Sequence, residues 1–104
     1  MWFVFPQLKG LGHSGMAQKF GISSQAEAAE YLAHPVLGPR LIECTRLVTL
    51  VEGRAIEEIL GDIDTLKFRS SMTLFDQVSP DSIFADALRK YFDGQPDRLT
   101  LDRL

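Results

Sequence analysis

From Ser24 to Gly94 the apolar residues recur at intervals of three and four, and the rhythm breaks at glycine, proline and residues that cap helices. That pattern restricts the chain to one helix after another. Ser24-Gln25-Ala26-Glu27 is a capping box opening a helix to about Ala33, and Pro35 ends it. From Val36 the residues Leu37, Leu41, Cys44, Val48 and Val51 define a central helix closed at Gly53, with Pro39 tolerable in its first turn. A short helix over Ala55 to Leu60 stops at Gly61, and a longer one from about Asp64 to Val78 carries Phe68, Met72, Phe75 and Val78 on one side. Ser79 as N-cap with Pro80 at the first helical position opens the next helix, whose inward residues are Phe84, Ala87, Leu88, Tyr91 and Phe92, with Gly94 as its stop. Asp97 is placed to cap a last turn or two through Leu101 to Leu104.

Ahead of this series Trp2 to Phe5 reads as a short strand or an extended, buried arm. Pro6 and the glycines at 10, 12 and 15 then impose loop geometry, and a brief helix is predicted from Ser14 to Phe20. The predicted fold is all-α: a compact irregular, orthogonal helical bundle with a short extended amino-terminal arm, formed as a single domain over residues 1–104.

Composition excludes several function classes. A net charge of −3 without any long run of like charge lacks the basic field of a nucleic-acid binder. One cysteine, Cys44, excludes an internal disulfide framework and a multi-cysteine zinc site, so a reducing compartment is expected. No apolar stretch approaches the roughly 20 residues that span a bilayer, and the amino end has no basic leader. The expected location is the cytoplasm, with neither membrane nor nucleic acid as partner.

Projection at 100° per residue sets several polar side chains among apolar ones. On the helix near Asp64 the arc of Ile63, Leu74, Val78, Phe75, Phe68 and Met72 also contains Asp64, Lys67 and Ser71; on the helix after Val36, Arg40 falls between Leu47 and Val51, with Glu43 at the edge. A cation turned inward needs an acid, carbonyls or a bound anion, since burying it unpaired costs several kcal/mol. Two readings stand: a structural one, either an internal ion-pair network, Asp64 with Lys67 and Glu43 with Arg40, or long side chains that snorkel to the surface, and a polar pocket that receives a ligand.

Other motifs carry less. Gly10-Leu11-Gly12-His13-Ser14-Gly15 has the letters of a dinucleotide fingerprint but not the strand–helix–strand context that it needs. His13 and His34 have no metal-ligand spacing, so no metal is expected, and no cofactor motif appears. Cys44 on an apolar face reads as a small hydrophobe. His34, before Pro35, reads as a capping residue, through carbonyl contacts or a pairing with Glu30.

Four phrases occur in an order that resembles one family: Trp2-Phe3-Val4-Phe5-Pro6-Gln7; Gly10-Leu11-Gly12 with Ser14; Tyr31-Leu32-Ala33-His34-Pro35-Val36-Leu37-Gly38-Pro39-Arg40-Leu41; and Leu66-Lys67-Phe68-Arg69-Ser70-Ser71-Met72-Thr73-Leu74-Phe75. Together they resemble the bacterial domain-of-unknown-function family 1810, some members of which carry an unsupported calpastatin label. The resemblance implies a compact all-helical fold and brings no activity, cofactor or substrate. Gly15 departs from the family pattern. The recurrent phrases fall on Gln7, Ser14, His34, Arg40, Lys67, Ser70 and Ser71, which overlap the inward polar residues and make up the candidate site.

Three functions use that site. In a small-ligand module Arg40 and Lys67 attract a carboxylate or phosphate, while Gln7, Ser70 and Ser71 orient it. In an enzyme on a small anionic or nucleotide-like substrate, His34 or Lys67 moves protons in the same pocket. In a structural or protein-interaction domain the polar cluster locks the fold. Family members usually carry a further helical segment ahead of the Trp-Phe phrase, whereas Met1 stands inside it here. An apolar patch around Trp2, Phe3 and Phe5 is therefore expected, with a homodimer whose contact includes Trp2.

Overall fold

The computed structural model describes residues 5–8, 21–80 and 82–104. Its helices are α1 (Gln25–Ala33), α2 (Leu37–Thr49), α3 (Ile56–Leu60), α4 (Asp62–Val78), α5 (Ile83–Phe92) and α6 (Arg98–Arg103). The fold is all-α; among the described residues the sole strand-like feature is an isolated parallel bridge between Leu8 and Ile22. A radius of gyration of 12.6 Å is that of a compact chain of this length. No helix among the described residues is long and apolar enough to cross a membrane. The predicted Ser14 to Phe20 helix lies outside the described residues.

Local chemistry sets the helix ends. The Ser24 hydroxyl accepts the Glu27 N–H at 3.1 Å, and the Glu27 carboxylate reaches back to the Ser23 N–H at 3.0 Å, one residue earlier than in the usual reciprocal box. α3 and α4 meet at Gly61, whose φ of 86° favours glycine, so the long helix starts at Asp62 rather than Asp64. α5 opens one turn after the Ser79–Pro80 pair. Ser82, not Ser79, is its N-cap, and the Ser79 carbonyl instead accepts the Ser82 hydroxyl at 2.7 Å. Asp93 and Gly94, both at positive φ, close α5 with the Gly94 N–H on the Leu88 carbonyl at 2.9 Å.

The corner between α1 and α2 is tight. The His34 ring nitrogen Nδ1 accepts the N–H groups of Val36 and Leu37, each at 3.1 Å, filling the role that a serine or aspartate usually takes at a helix start. Gly38, in the first turn of α2, lies against the end of α1, where a Cβ would sit 1.9 Å from the Leu32 carbonyl oxygen. No side chain fits there.

α4, about 25 Å long, is the hub against which α1, α3, α5 and α6 pack. Phe68, Met72, Leu74 and Phe75 are fully buried on it, meeting Leu41 of α2, Ile56 of α3, and Phe84, Ala87 and Leu88 of α5 in one core. Leu32 and Val48 are partly buried against it. The arm joins the same core: Phe5 is 4% exposed, its ring standing edge-on to Phe68 with centroids 4.8 Å apart. The exposed apolar patch predicted to include Phe5 is thus not present at that residue, which folds back into its own core; Trp2 and Phe3 lie outside the described residues.

α2 and α5 are tied at one end. The Lys90 ammonium donates to the carbonyls of Thr49 and Val51 (2.9 Å for Val51) and to the Glu52 carboxylate at 3.1 Å, while the Tyr91 hydroxyl donates to the Val48 carbonyl. The last turn of α2 thereby gains donors for carbonyls that a helix end leaves open.

Candidate functional site

The residues singled out in the sequence separate into four environments. The first is surface. Arg40 is exposed, as are Leu47 on the same helix and Leu50 just past its end, so the inward placement of Arg40 is not what the fold adopts. α2 packs chiefly on α1 and α5, and its buried stripe is narrow, running through Gly38, Leu41 and Thr45. Two of those three are too small or polar to register in a hydrophobic projection. Arg40 lies near the Tyr31 hydroxyl, where burial raises the tyrosine above its usual value, the guanidinium opposes that rise and Cys44 adds to it. Glu43 does not pair with Arg40. It bonds Arg46 one turn on, and that hydrogen bond holds the Glu43 carboxyl below the usual range and lifts Arg46.

The second environment is the α1–α2 corner, where His34 is occupied as a cap. The capping role predicted for it is present, directed at the amides of the following helix rather than at carbonyls or Glu30.

The third is a latch between α4 and α6. The Ser70 hydroxyl donates to the Leu66 carbonyl at 3.1 Å and the Asp97 carboxylate at 3.2 Å; the same carboxylate oxygen accepts from the Thr100 N–H at 3.0 Å and the Thr100 hydroxyl at 2.6 Å. The Asp97 N–H donates to the Thr73 hydroxyl at 2.8 Å, and Arg69 donates to the Gln95 carbonyl at 3.0 Å while lying over the Phe92 ring. Sequence reasoning identified Asp97 as a cap but not the partners across the bundle, since nothing in the local pattern pairs it with residues 24 and 27 positions earlier.

The fourth is the remaining face of α4. Lys67 is half-buried and engaged in a polar or electrostatic contact of its own, although among the described residues no ion pair joins it to Asp64. Ser71, one turn on from Lys67, is fully buried and its hydroxyl has no hydrogen-bond partner among the described residues. That is unusual within this fold. Thr45, Thr65, Ser70 and Thr73 each donate to the carbonyl four residues earlier, at 2.6 to 3.1 Å, which is how a buried helical hydroxyl is normally satisfied. Ser71 forgoes that bond. Gln7, also buried, sits two residues beyond Phe5, whose ring meets Phe68 edge-on, and the Gln7 carbonyl accepts the Ile22 N–H at 2.8 Å. Ser14 lies outside the described residues.

The structure therefore keeps Lys67 and Ser71 one turn apart on α4, with Gln7 two residues beyond the Phe5 that packs on Phe68 of the same helix. It separates them from Arg40 and His34, and commits Ser70 to the latch. No group of three or more His, Cys, Asp or Glu side chains able to hold a metal ion occurs among the described residues.

A family model described as a protein of unknown function (DUF1810) matches residues 1–104. The chain is similar to the conserved hypothetical protein Rv1873 from Mycobacterium tuberculosis, known from its crystal structure, with 55% sequence identity and a TM-score of 0.96 over 99% of this chain and 74% of that one. No curated protein matches. A family match along the whole chain, with a solved structure that superimposes on nearly all of it, places this protein in the DUF1810 family, the bacterial family of unknown function that its sequence phrases resemble.

Proposed function

We propose that the chain is a binding module for a small anionic ligand, recognised beside Ser71 and Lys67 on α4 rather than between Arg40 and Lys67. The observation that carries this reading is the Ser71 hydroxyl, enclosed and without a partner among the described residues, where four other buried hydroxyls bond back to their own helices. An unsatisfied buried hydroxyl costs about 1–3 kcal/mol, and alanine at that position would remove the penalty without altering the helix. A buried polar group without a partner calls for an explanation, and a bound ion is one that fits this position. An anion's oxygen accepts the serine proton, and the nearby lysine charge favours it.

The test is an amide NMR titration with inorganic phosphate and with acetate. Phosphate or acetate is expected to shift the Lys67 and Ser71 amides, and Ser71→Ala is expected to weaken that binding about tenfold while raising stability by about 1 kcal/mol. A stabilised variant together with no response of the wild type to either anion would remove the proposal.

The structural reading is favoured by a different observation, the Ser70–Asp97–Thr100 latch, which accounts for Ser70 without any ligand. The proton-moving role considered for His34 loses support because its Nδ1 is committed to two amides. A cytoplasmic location belongs to the same proposal and rests on the free thiol of Cys44. Self-association through Trp2 is a separate proposal, read by sedimentation of the wild-type chain.

A further inference from the structure

The first two turns of α4 are turned the wrong way for a buried helix. Ile63 is 71% exposed and Leu66 is 66% exposed, three residues apart, while Thr65 between them is buried. Sequence projection had Ile63 in the core. Beside this pair the bend at Gly61 opens a groove of about 520 Å³, lined by Leu60, Gly61, Asp62, Ile63 and Asp64. Two of its lining residues are acids, Asp62 and Asp64, and Glu57 and Glu58 stand on the short helix that leads into it. Glu58 has a basic partner, Arg54 at 3.8 Å, but Glu57, Asp62 and Asp64 form no ion pair among the described residues.

First-turn aspartates suit the helix dipole and by themselves imply no partner. Two large aliphatic side chains left in water next to an open groove are a separate fact, and exposed apolar groups rimmed by charge mark contact surfaces. The charge chooses among occupants. An anionic membrane would be repelled by the acidic rim, and a second copy of a chain of net charge −3 brings like charge. A basic amphipathic helix answers both features, with its apolar side chains on Ile63 and Leu66 and its lysines or arginines on Asp62, Asp64 and Glu57.

We propose that the Gly61 corner is a docking site for a basic amphipathic helical segment of a partner protein. This surface is distinct from the Ser71 site, so either proposal can fail alone. The probes are two synthetic amphipathic helices with the same apolar pattern, one of leucine and lysine and one of leucine and glutamate, titrated into the full chain and followed by calorimetry. The lysine peptide is expected to bind at least about tenfold tighter than the glutamate peptide, and to weaken as salt is raised. Leu66→Ser and Ile63→Ser, both at exposed positions, are each expected to lower that affinity about tenfold. Glu30→Gln, on α1, is expected to leave it unchanged and so controls for general attraction to an acidic protein. The proposal is overturned if neither peptide binds, if both bind alike, or if Leu66→Ser has no effect. It is equally overturned if Leu66→Ser dissociates a wild-type dimer in sedimentation or abolishes binding to phosphatidylglycerol vesicles, because the face then belongs to a second copy or to a lipid surface.

Discussion

Gly38 shows how much one absent side chain decides. Alanine is the better helix former by about 1 kcal/mol, so propensity alone would make Gly38→Ala stabilising. A Cβ placed 1.9 Å from the Leu32 carbonyl oxygen overrides that gain, because the clash is with backbone and neither helix can yield without opening the corner. Gly38→Ala is expected to cost about 3 kcal/mol or more in urea denaturation; an unchanged midpoint would mean that the two helices do not approach so closely. His34, four residues earlier, supports the same corner by accepting two amides. Its capping character was legible, because a histidine before proline at a helix junction has few other tasks. The need for glycine at 38 was not, since close backbone approach leaves no trace in apolar periodicity.

Helices were legible to within a residue or two wherever side-chain chemistry marks their ends, as at Ser24 and Asp97. The reading slipped where two chemically suitable caps stand close together: Ser79 and Ser82 both qualify, and the fold uses the second with the first as its acceptor. Which face of a helix is buried was harder. Projection assumes a neighbour along the whole length, whereas α2 lies at the surface and the first turns of α4 project past the core, leaving Arg40, Leu47 and Ile63 in water. For the same reason the candidate site was legible only in part: Ser71 is buried as projected, but Arg40 is not. At this scale the latch makes a separate forecast. Asp97→Ala removes the acceptor shared by Ser70 and Thr100, so α6 is expected to lose about 2 kcal/mol of stabilisation. Amide hydrogen exchange in residues 98–103 would report it as faster exchange, with the amides of α2 unchanged.

For the molecule as a whole, one core joins elements far apart in sequence, and the arm is part of it rather than a surplus. Phe5→Ala is expected to lower stability by roughly 3–5 kcal/mol, the cost of removing a buried phenylalanine, measured by urea denaturation. A loss below about 1 kcal/mol would show that the arm contributes little to the core. The tie between Lys90 and the end of α2 bears on the order in which the chain assembles. The carbonyls of Thr49 and Val51 receive their ammonium from a residue about 40 positions later, whereas the Arg46 and Val48 carbonyls also find amides nearby, from Leu50 and Val51. During synthesis from the amino end, the end of α2 lacks these added donors until Lys90 and Tyr91 have left the ribosome and α5 has docked. Closure of the bundle is then a late event set by the carboxyl-terminal third of the chain, and a nascent chain stalled before residue 90 would expose the end of α2 to proteases that the finished protein resists.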